Sequence, residues 1–508
     1  MFIRQKKNKS GSISVQILQK IGRRNKLIKS IGSAVSQDDL AILLAKANQE
    51  LQRVQGQQSL FIFEQDAMVE SFVSDLSNSQ IRTIGPELVF GKIYDYIGFG
   101  NIDKDLFRHL VIARLAFPLS KLKTIEYLYR FQGITLNLDS VYRFLDKLND
   151  ELKEQVEQIS FNYTKRVLGN DLSVVFYDMT TLYFEASDED DLRKAGFSKD
   201  GKHSNPQIFI GLLVGLGGYA IGYDIFEGNI YEGHTLVPTI EKMTQKFALQ
   251  KPIVVADAGL LNNDNINKLD EQGYQYILGA RIKSESKNIK EAIRATKFTN
   301  GDFIELPKGN GRLVVQYADN RAKKDAHNRE RGLKRIEKQI KSGKLTKQHI
   351  NNRGYNKYLK MDGEVTITID NEKYEQDSQW DGLKGYVTNS KLPAQTIIEN
   401  YKNLWHIEKA FRMSKTDLRI RPIYHRLRSR IEAHICISFV SFTIYKELER
   451  VLKQEDFPLS VQKAAEITHN IYQAEITLPE SRKIKTILLK MDEFQTQLIN
   501  IVNQKFPG

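Results

Sequence analysis

Three carboxylates in this chain of 508 residues have the surroundings that metal chemistry requires. Asp178 and Asp257 each close a β-rich run, SVVFYD and PIVVAD, and Glu408 lies in a segment with helical spacing. In α/β sheets, sites form at the carboxyl ends of strands. Hard divalent cations take oxygen ligands, and three carboxylates on rigid elements can hold two Mg²⁺ ions while leaving positions for phosphate and water. Two such ions about 4 Å apart serve both the attacking and the leaving oxygen of a phosphoryl transfer. A strand-end aspartate is also a common cap, and a helical glutamate a common surface ion-pair partner. Separations of 79 and 151 positions do not by themselves join the three.

The elements that must position them follow from the pattern. A helix is expected from about Thr396 to Arg419, where positions seven apart differ by roughly 20° in direction, so Tyr401, Glu408 and Lys415 share a face. Leu404, Ile407, Phe411 and Leu418 form an adjacent apolar stripe, with Trp405 and Arg412 bordering the Glu408 face on its other side. From Asp171 the chain reads as strands Ser173–Asp178, Gln207–Gly215 and Tyr219–Phe226, the last two joined by a Gly217-Gly218 turn. Then come a helix (Thr235–Phe247), the strand ending at Asp257, a helix (Asn265–Gln272) and a strand (Tyr274–Gly279). Three strands, helix, strand, helix, strand is an α/β order. Residues 301–392 interrupt it with short strands at Arg312–Gln316, Glu364–Ile369 and Gly385–Thr388. From Pro393 the pattern is helical almost to the end.

Upstream, Ser12–Leu18 and Lys26–Ile31 read as a small hairpin with a basic face. Residues 37–165 are helical in pattern, and Asp38-Asp39 is expected to cap a helix running to Val54. Asp139–Leu145 has apolar spacing that suits either a helix-turn-helix element or plain helical packing.

The net charge of +13 is unevenly distributed. Residues 1–37 hold nine bases and no acid, and residues 321–360 hold fourteen bases against three acids, which leaves the remainder at −7. A mildly acidic body with two basic segments points to a polyanion, because clustered Lys and Arg displace counterions from phosphates. Lys334, Arg335, Lys338 and Lys341 are the bases expected to contact DNA backbone; the competing reading is a solvated charged surface. A lone Cys436 rules out an internal disulfide and fits a reducing cytoplasm. The longest weakly polar run, Ile208–Gly222, has 15 residues, short of the roughly 20 that span a bilayer, so no membrane partner is expected. Gly196–Lys202 has phosphate-loop spacing, but His203 replaces the Ser/Thr and Pro206 blocks the following helix. The acidic run Asp188–Asp191 reads as a solvated helix start, and the histidines show no metal spacing.

The stretches Tyr177–Phe184 (YDMTTLYF), Val255–Leu260 (VADAGL) and Tyr401–Glu408 (YKNLWHIE) with Lys415 resemble the three acidic motifs of DDE transposases from bacterial insertion sequences. They match the cut-and-paste branch whose third motif reads Tyr, two residues, Arg, three residues, Glu, six residues, Lys. Tyr401, Glu408 and Lys415 fall in register, but Leu404 replaces the Arg, whose role at a phosphate Arg412 or Arg419 would have to supply. Gly196–Lys202, Pro206–Val214 and Phe226–Asn229 add to the similarity, which spans about Phe90 to Phe442. The resemblance implies that Asp178, Asp257 and Glu408 bind two Mg²⁺ ions, with Mn²⁺ as a substitute. It further implies that Tyr401 and Lys415 contact phosphates at the transposon end, where a hairpin forms. Trp405 then either stacks on an unpaired or flipped base or packs in the core.

The expected architecture is multidomain α/β plus α: an RNase H-like core with a mixed five-stranded sheet, interrupted by a β-rich insertion and flanked by helical N- and C-terminal regions. Its segments are a basic arm (1–36), a helical DNA-binding region (37–170), the first part of the core (171–300), the basic insertion (301–392), the Glu408 helix and its successor (393–450) and a helical C-terminal region suited to oligomerisation (451–508). The expected function is transposition in the cytoplasm: a homodimer binding terminal inverted repeats and target DNA, cutting and joining strands. Two alternatives are a metal-dependent nuclease on the same fold and a catalytically silent DNA-binding repressor.

Overall fold

The computed structural model describes residues 1–8, 10–22, 24–54, 69, 77, 80–196, 205–343, 345, 347–351, 354–362, 366–478 and 481–507. From residue 197 on, the Gly196–Lys202 stretch lies outside the described residues. The chain forms two compact units: Met1–Ile81 with Ala474–Ile487, and Arg82–Gln473 with Leu488–Gly508.

In the smaller unit the alternation of Ile13–Ile21 buries Val15, Ile17 and Leu18. The expected hairpin is a three-stranded antiparallel sheet of Phe2–Lys7, Ile13–Ile21 and Arg24–Ala34. The extra strand, FIRQKK, carries no apolar alternation; it pairs through its backbone while Arg4, Lys6 and Lys7 stay exposed, as suits an edge. The helix Gln37–Val54 packs on this sheet, and its start is capped by the Ser36 hydroxyl, which accepts the Asp39 amide at 3.1 Å.

In the larger unit eight strands form one mixed sheet: β1 (Val174–Tyr183), β2 (Gln207–Val214), β3 (Ala220–Glu227), β4 (Ile253–Ala256), β5 (Tyr276–Ala280), β6 (Phe303–Lys308), β7 (Gly311–Tyr317) and β8 (Leu383–Thr388). Their order is β6-β7-β8-β5-β4-β1-β2-β3. The β1–β4 and β4–β5 pairs are parallel and the rest antiparallel. The five strands β1–β5 and their intervening helices are consistent with an RNase H-like core. The insertion is not a separate β unit, however. Three of its strands, β6, β7 and β8, extend the same sheet, while Leu359–Asp362 and Thr366–Ile369 pair as a separate two-stranded sheet. β8 covers the β5 edge in the register Gly385–Ala280 to Thr388–Ile277, where unpaired backbone would otherwise face water.

Helices cover both sheet faces. Among them are α1 (Asp105–Ala116), α2 (Leu138–Val167), α3 (Leu236–Lys246), α4 (Asn263–Glu271), α6 (Ala394–Lys402), α7 (Trp405–Thr416) and α8 (Arg428–Gln454), while α5 (Asp319–Lys341) packs through Ile336 on a separate cluster with Tyr358 and Leu359. One core joins Phe176 and Leu182 of β1 to apolar residues of α1, α2, α6, α7 and α8; the other joins Val175, Tyr177 and Met179 to α3 and α4. The Asp139–Leu145 stretch is the first part of the 30-residue α2, and its apolar spacing packs Val141 and Leu145, fully buried, into the core. Two strands, Tyr472–Thr477 and Ile484–Leu488, lie in the region expected to be helical throughout, because the β-branched, alternating YQAEIT and IKTIL favour extended pairing. Among the described residues no helix is long and apolar enough to cross a membrane.

The run expected as one helix from Thr396 to Arg419 is two, α6 and α7, parted at Asn403-Leu404. There the amides of Leu404, His406 and Ile407 bond three residues back instead of four, which tightens the turn. Ile407 is fully buried and Trp405 is 47% exposed, two residues apart on α7. Ile407→Ala is expected to cost about 2–5 kcal/mol in urea unfolding, whereas Trp405→Ala should shift stability by no more than about 0.5 kcal/mol.

Candidate functional site

The parallel register of β1 and β4 pairs Tyr177 with Ala256, the last pair of that ladder, so Asp178, which continues β1, and Asp257, the residue just past β4, follow it at neighbouring positions. Asp178 does not end its strand as expected: β1 runs on to Tyr183 along β2, and what ends at Tyr177 is its ladder with β4. Alternation along β1 puts Asp178 on the face of Phe176 and Leu182, beneath α7 and α8. Its carboxylate accepts the Met179 amide at 2.8 Å.

Asp257 is held by Tyr401, near the end of α6, whose hydroxyl donates to Asp257 Oδ1 at 2.8 Å. Burial, followed by the charge of Asp257, pushes the Tyr401 phenol well above its ordinary range, so it remains a donor. The field of Asp178 also reaches this phenol. Close approach makes Gly279 necessary: a Cβ there would lie 2.4 Å from the Tyr401 hydroxyl and 2.9 Å from the Ala258 amide nitrogen.

A residue that motif spacing does not reveal completes the surroundings. Lys384, on β8, places its ammonium 4.3 Å from the Tyr401 ring centre and 5.9 Å from that of Tyr386. Burial and the neighbouring Arg321 lower its pKa, while Asp257 and Glu408 act to raise it, so this one ammonium feels carboxylates from both β4 and α7. The only signal in the sequence is a lysine within a strand whose other residues, Gly385 apart, are apolar, Tyr or Thr. Asp257, Tyr401 and Lys384 open onto a cleft of about 680 Å³ whose other wall includes Arg321, Asn328 and Arg329 of α5 and Lys357. The basic insertion therefore borders Asp257. The bases singled out in the sequence are not those that line the cleft: Lys334, Arg335, Lys338 and Lys341 lie on the exposed side of α5, opposite the buried Gly332 and Ile336.

Glu408 lies in the first turn of α7, exposed and on one face with Trp405 and Arg412. Tyr401 belongs to α6, so Tyr401, Glu408 and Lys415 are not one helical face. Among the described residues no group of three carboxylates, histidines or cysteines is drawn together closely enough to hold a metal, so Glu408 does not complete a closed set with Asp178 and Asp257. The donors are nonetheless all carboxylate oxygens, one on β1 and one just past the end of the adjacent β4, which fits a hard divalent cation. Lys415 is half-buried and borders a narrow cavity with Thr180 and Leu182, on the Asp178 face of β1. Trp405 is exposed, its ring 4.0 Å from that of His406 and 5.7 Å from the Lys409 ammonium. Leu404 is buried, and the two arginines expected to replace the motif Arg line other clefts: Arg412 beside Glu449 and Phe457, Arg419 beside Arg114 and Lys121. Arg419 is drawn away because α7 stops at Thr416 and the chain turns at Arg419, with φ 46°.

The sequence matches the family model described as "Transposase DDE domain" over residues 169–444, more than half of the chain. Among solved structures it is similar to a piggyBac transposase synaptic complex with hairpin DNA, at 9% identity and a TM-score of 0.37 over 76% of this chain and 78% of that one. It is also similar to a Mos1 transposase paired-end complex with left transposon end, at 10% identity and a TM-score of 0.16 over 46% of this chain and 71% of that one. No curated protein matches it.

The close approach of Gly279 and Tyr401 supplies a test. Gly279→Ala should cost about 1–3 kcal/mol by overpacking. In a Tyr401→Phe background, where the crowded oxygen is gone, the cost should fall by at least about 0.5 kcal/mol, a coupling that a double-mutant unfolding cycle reads directly.

Proposed function

Because the chain belongs to the transposase DDE domain family, we propose that it is the transposase of a bacterial insertion sequence, acting on the ends of its element through an RNase H-like core. The observation that carries this reading is the pairing of Asp178 and Asp257 on adjacent strands, with Tyr401 fixing one of them and Arg321, Lys384 and Lys415 nearby. Acids alone would repel a phosphodiester; acids among fixed cations can receive one.

Asp178, Asp257 and Glu408 would hold the divalent cations, Mg²⁺ with Mn²⁺ as a substitute. A bound cation supplies Lewis-acid stabilisation to the attacking and leaving oxygens. The chain's own contribution is positional: Tyr401 orients Asp257, Lys415 and Arg321 take backbone phosphates, and exposed Trp405 offers a stacking surface to an unpaired base. The reaction is attack of water oxygen on the phosphodiester at the element end, which breaks the P–O3′ bond on one side and frees a 3′-OH. That hydroxyl attacks the opposite strand's phosphodiester and displaces the 3′-oxygen of the flanking DNA as a hydroxyl, closing a hairpin. Water then attacks the hairpin phosphodiester and returns the 3′-OH, which displaces a 3′-oxygen of target DNA on joining. Two element ends call for two copies of the chain, and the DNA substrate and single cysteine agree with a cytoplasmic setting.

Asp178→Ala, Asp257→Ala and Glu408→Ala should each abolish cleavage while leaving DNA binding within a few-fold, read by gel shift and cleavage of an end substrate. Cleavage should appear with Mg²⁺ or Mn²⁺ and be poor with Ca²⁺, whose larger and looser coordination misplaces the reacting oxygens. A dead-end nuclease would cut without ever giving a joined strand on a denaturing gel, and a silent repressor would bind without cutting. Replacing Lys334, Arg335, Lys338 and Lys341 together by Ala should lower the slope of log K against log salt by up to roughly 3.6, about 0.9 for each phosphate no longer neutralised. An unchanged slope would make this face of α5 a solvated surface.

A further inference from the structure

A second group of cations gathers away from the carboxylates, in a cleft of about 580 Å³ lined by Arg114, Lys121, Arg419, Arg421, His425 and His434 among others. Arg114 and Lys121 are each only 5% exposed. A buried cation is costly unless an acid pairs with it. Among the described residues neither has a carboxylate partner. Arg114 donates to the Arg419 carbonyl at 3.5 Å and approaches His434 Nδ1 at 3.4 Å. Burial brings the Arg114 guanidinium down to about 10, and burial with the charge of Arg114 pushes the Lys121 amine well below its usual range. Asp146, an acid whose field reaches His425, is already gripped by Arg430 at 2.6 and 2.9 Å. The fold thus maintains positive groups in a place where they oppose one another. Interactions of that sign persist where a ligand supplies the missing charge.

The position identifies the ligand. Arg421 sets its guanidinium over the Tyr183 ring at 5.6 Å, and Tyr183 lies five residues beyond Asp178 on β1, roughly 17 Å at about 3.3 Å per residue. Between them Lys415 borders Thr180 and Leu182. By alternation Tyr183 faces the side of the sheet opposite Asp178 and Lys415, so basic groups border this stretch of β1 from both sides, within reach of a duplex that passes the end of the strand. At about 3.4 Å per base pair the second cleft lies about five base pairs from Asp178.

We propose that the Arg114–Lys121–Arg419–Arg421 cleft binds backbone phosphates of the duplex about five base pairs from the cleavage point. This rests on the DNA-processing reading above and adds a second anchoring point to it, which sets the direction in which the duplex leaves the active site. Guanidinium groups suit phosphate oxygens in pairs, and interactions of this kind fix register without reading sequence.

The test uses the full chain, a fixed-sequence duplex and inorganic phosphate as separate probes. Lys121→Met removes an uncompensated buried cation, so the free protein should melt at the same or a higher temperature. Its duplex affinity should fall, with the salt slope reduced by about 0.9. Arg419→Gln, at an exposed position, should reduce the slope similarly and keeps the test decisive if Lys121→Met fails to fold. Wild-type binding with an unchanged slope in the folded variants overturns the proposal. So does a cleft in which inorganic phosphate raises the wild-type melting temperature through Lys121 while duplex binding is indifferent to it, for then it takes a free anion. If the wild type binds no duplex at all, the reading as a transposase fails together with it.

Discussion

The parallel register of β1 against β4 is the constraint on which the rest of the site depends. Pairing Tyr177 with Ala256 brings two aspartates 79 positions apart onto neighbouring strands and onto the same face of the sheet. A slip of one residue would turn Asp178 into the opposite core and expose Tyr177 in its place, since side chains alternate with period two. Burial on both faces forbids that slip. Phe176 and Leu182 are committed to one core and Val175, Tyr177 and Met179 to the other, so the packing of apolar residues holds the carboxylates in place.

That arrangement brings together negative charges that ordinary folding would keep apart, and much of the surrounding structure supplies compensation. Tyr401 donates to Asp257 from a helix on the same face, and Gly279 leaves the room for it. Lys384 and Arg321 arrive from the insertion, which reaches Asp257 because three of its strands continue the sheet. The same continuity places α5 as a wall of the cleft. An insertion of more than eighty residues between the fifth strand and the helices that carry Tyr401 and Glu408 thus contributes to the site's electrostatics.

The segments with strong local patterns were legible from residues alone. β2, β3, β4, α3 and α4 lie within a few residues of where alternation, helical spacing and turn glycines put them, and Gly217 and Gly218 adopt the positive φ that the turn between β2 and β3 needs. The misses share a physical cause. The FIRQKK strand and the attachment of β8 to β5 depend on backbone pairing with distant segments, which leaves no periodic mark in a basic or short stretch. The single helix inferred for Thr396–Arg419 failed for a related reason. Its apolar spacing continues through Asn403-Leu404, but the tightened turn there is set by where α6 and α7 must each rest on the sheet.

By itself the sequence determined which chemistry is possible. Carboxylates following β-rich runs, a glutamate on an amphipathic helix, a lone cysteine and two basic segments in an otherwise acidic chain narrow the choice to oxygen-ligated cations and a polyanionic partner. Composition and short-range spacing carry that information because they concern residue types and single elements. The tertiary structure alone decided which residues meet. Asp178 comes beside Asp257 through strand register, while Glu408, exposed in the first turn of α7, forms no closed three-ligand group with them; Leu404 is buried where the motif has an arginine. Lys384 enters the site and Arg412 and Arg419 leave it. These outcomes depend on long-range packing, in which each segment's place is fixed by the apolar surface and backbone pairing offered by others, and no local pattern encodes it.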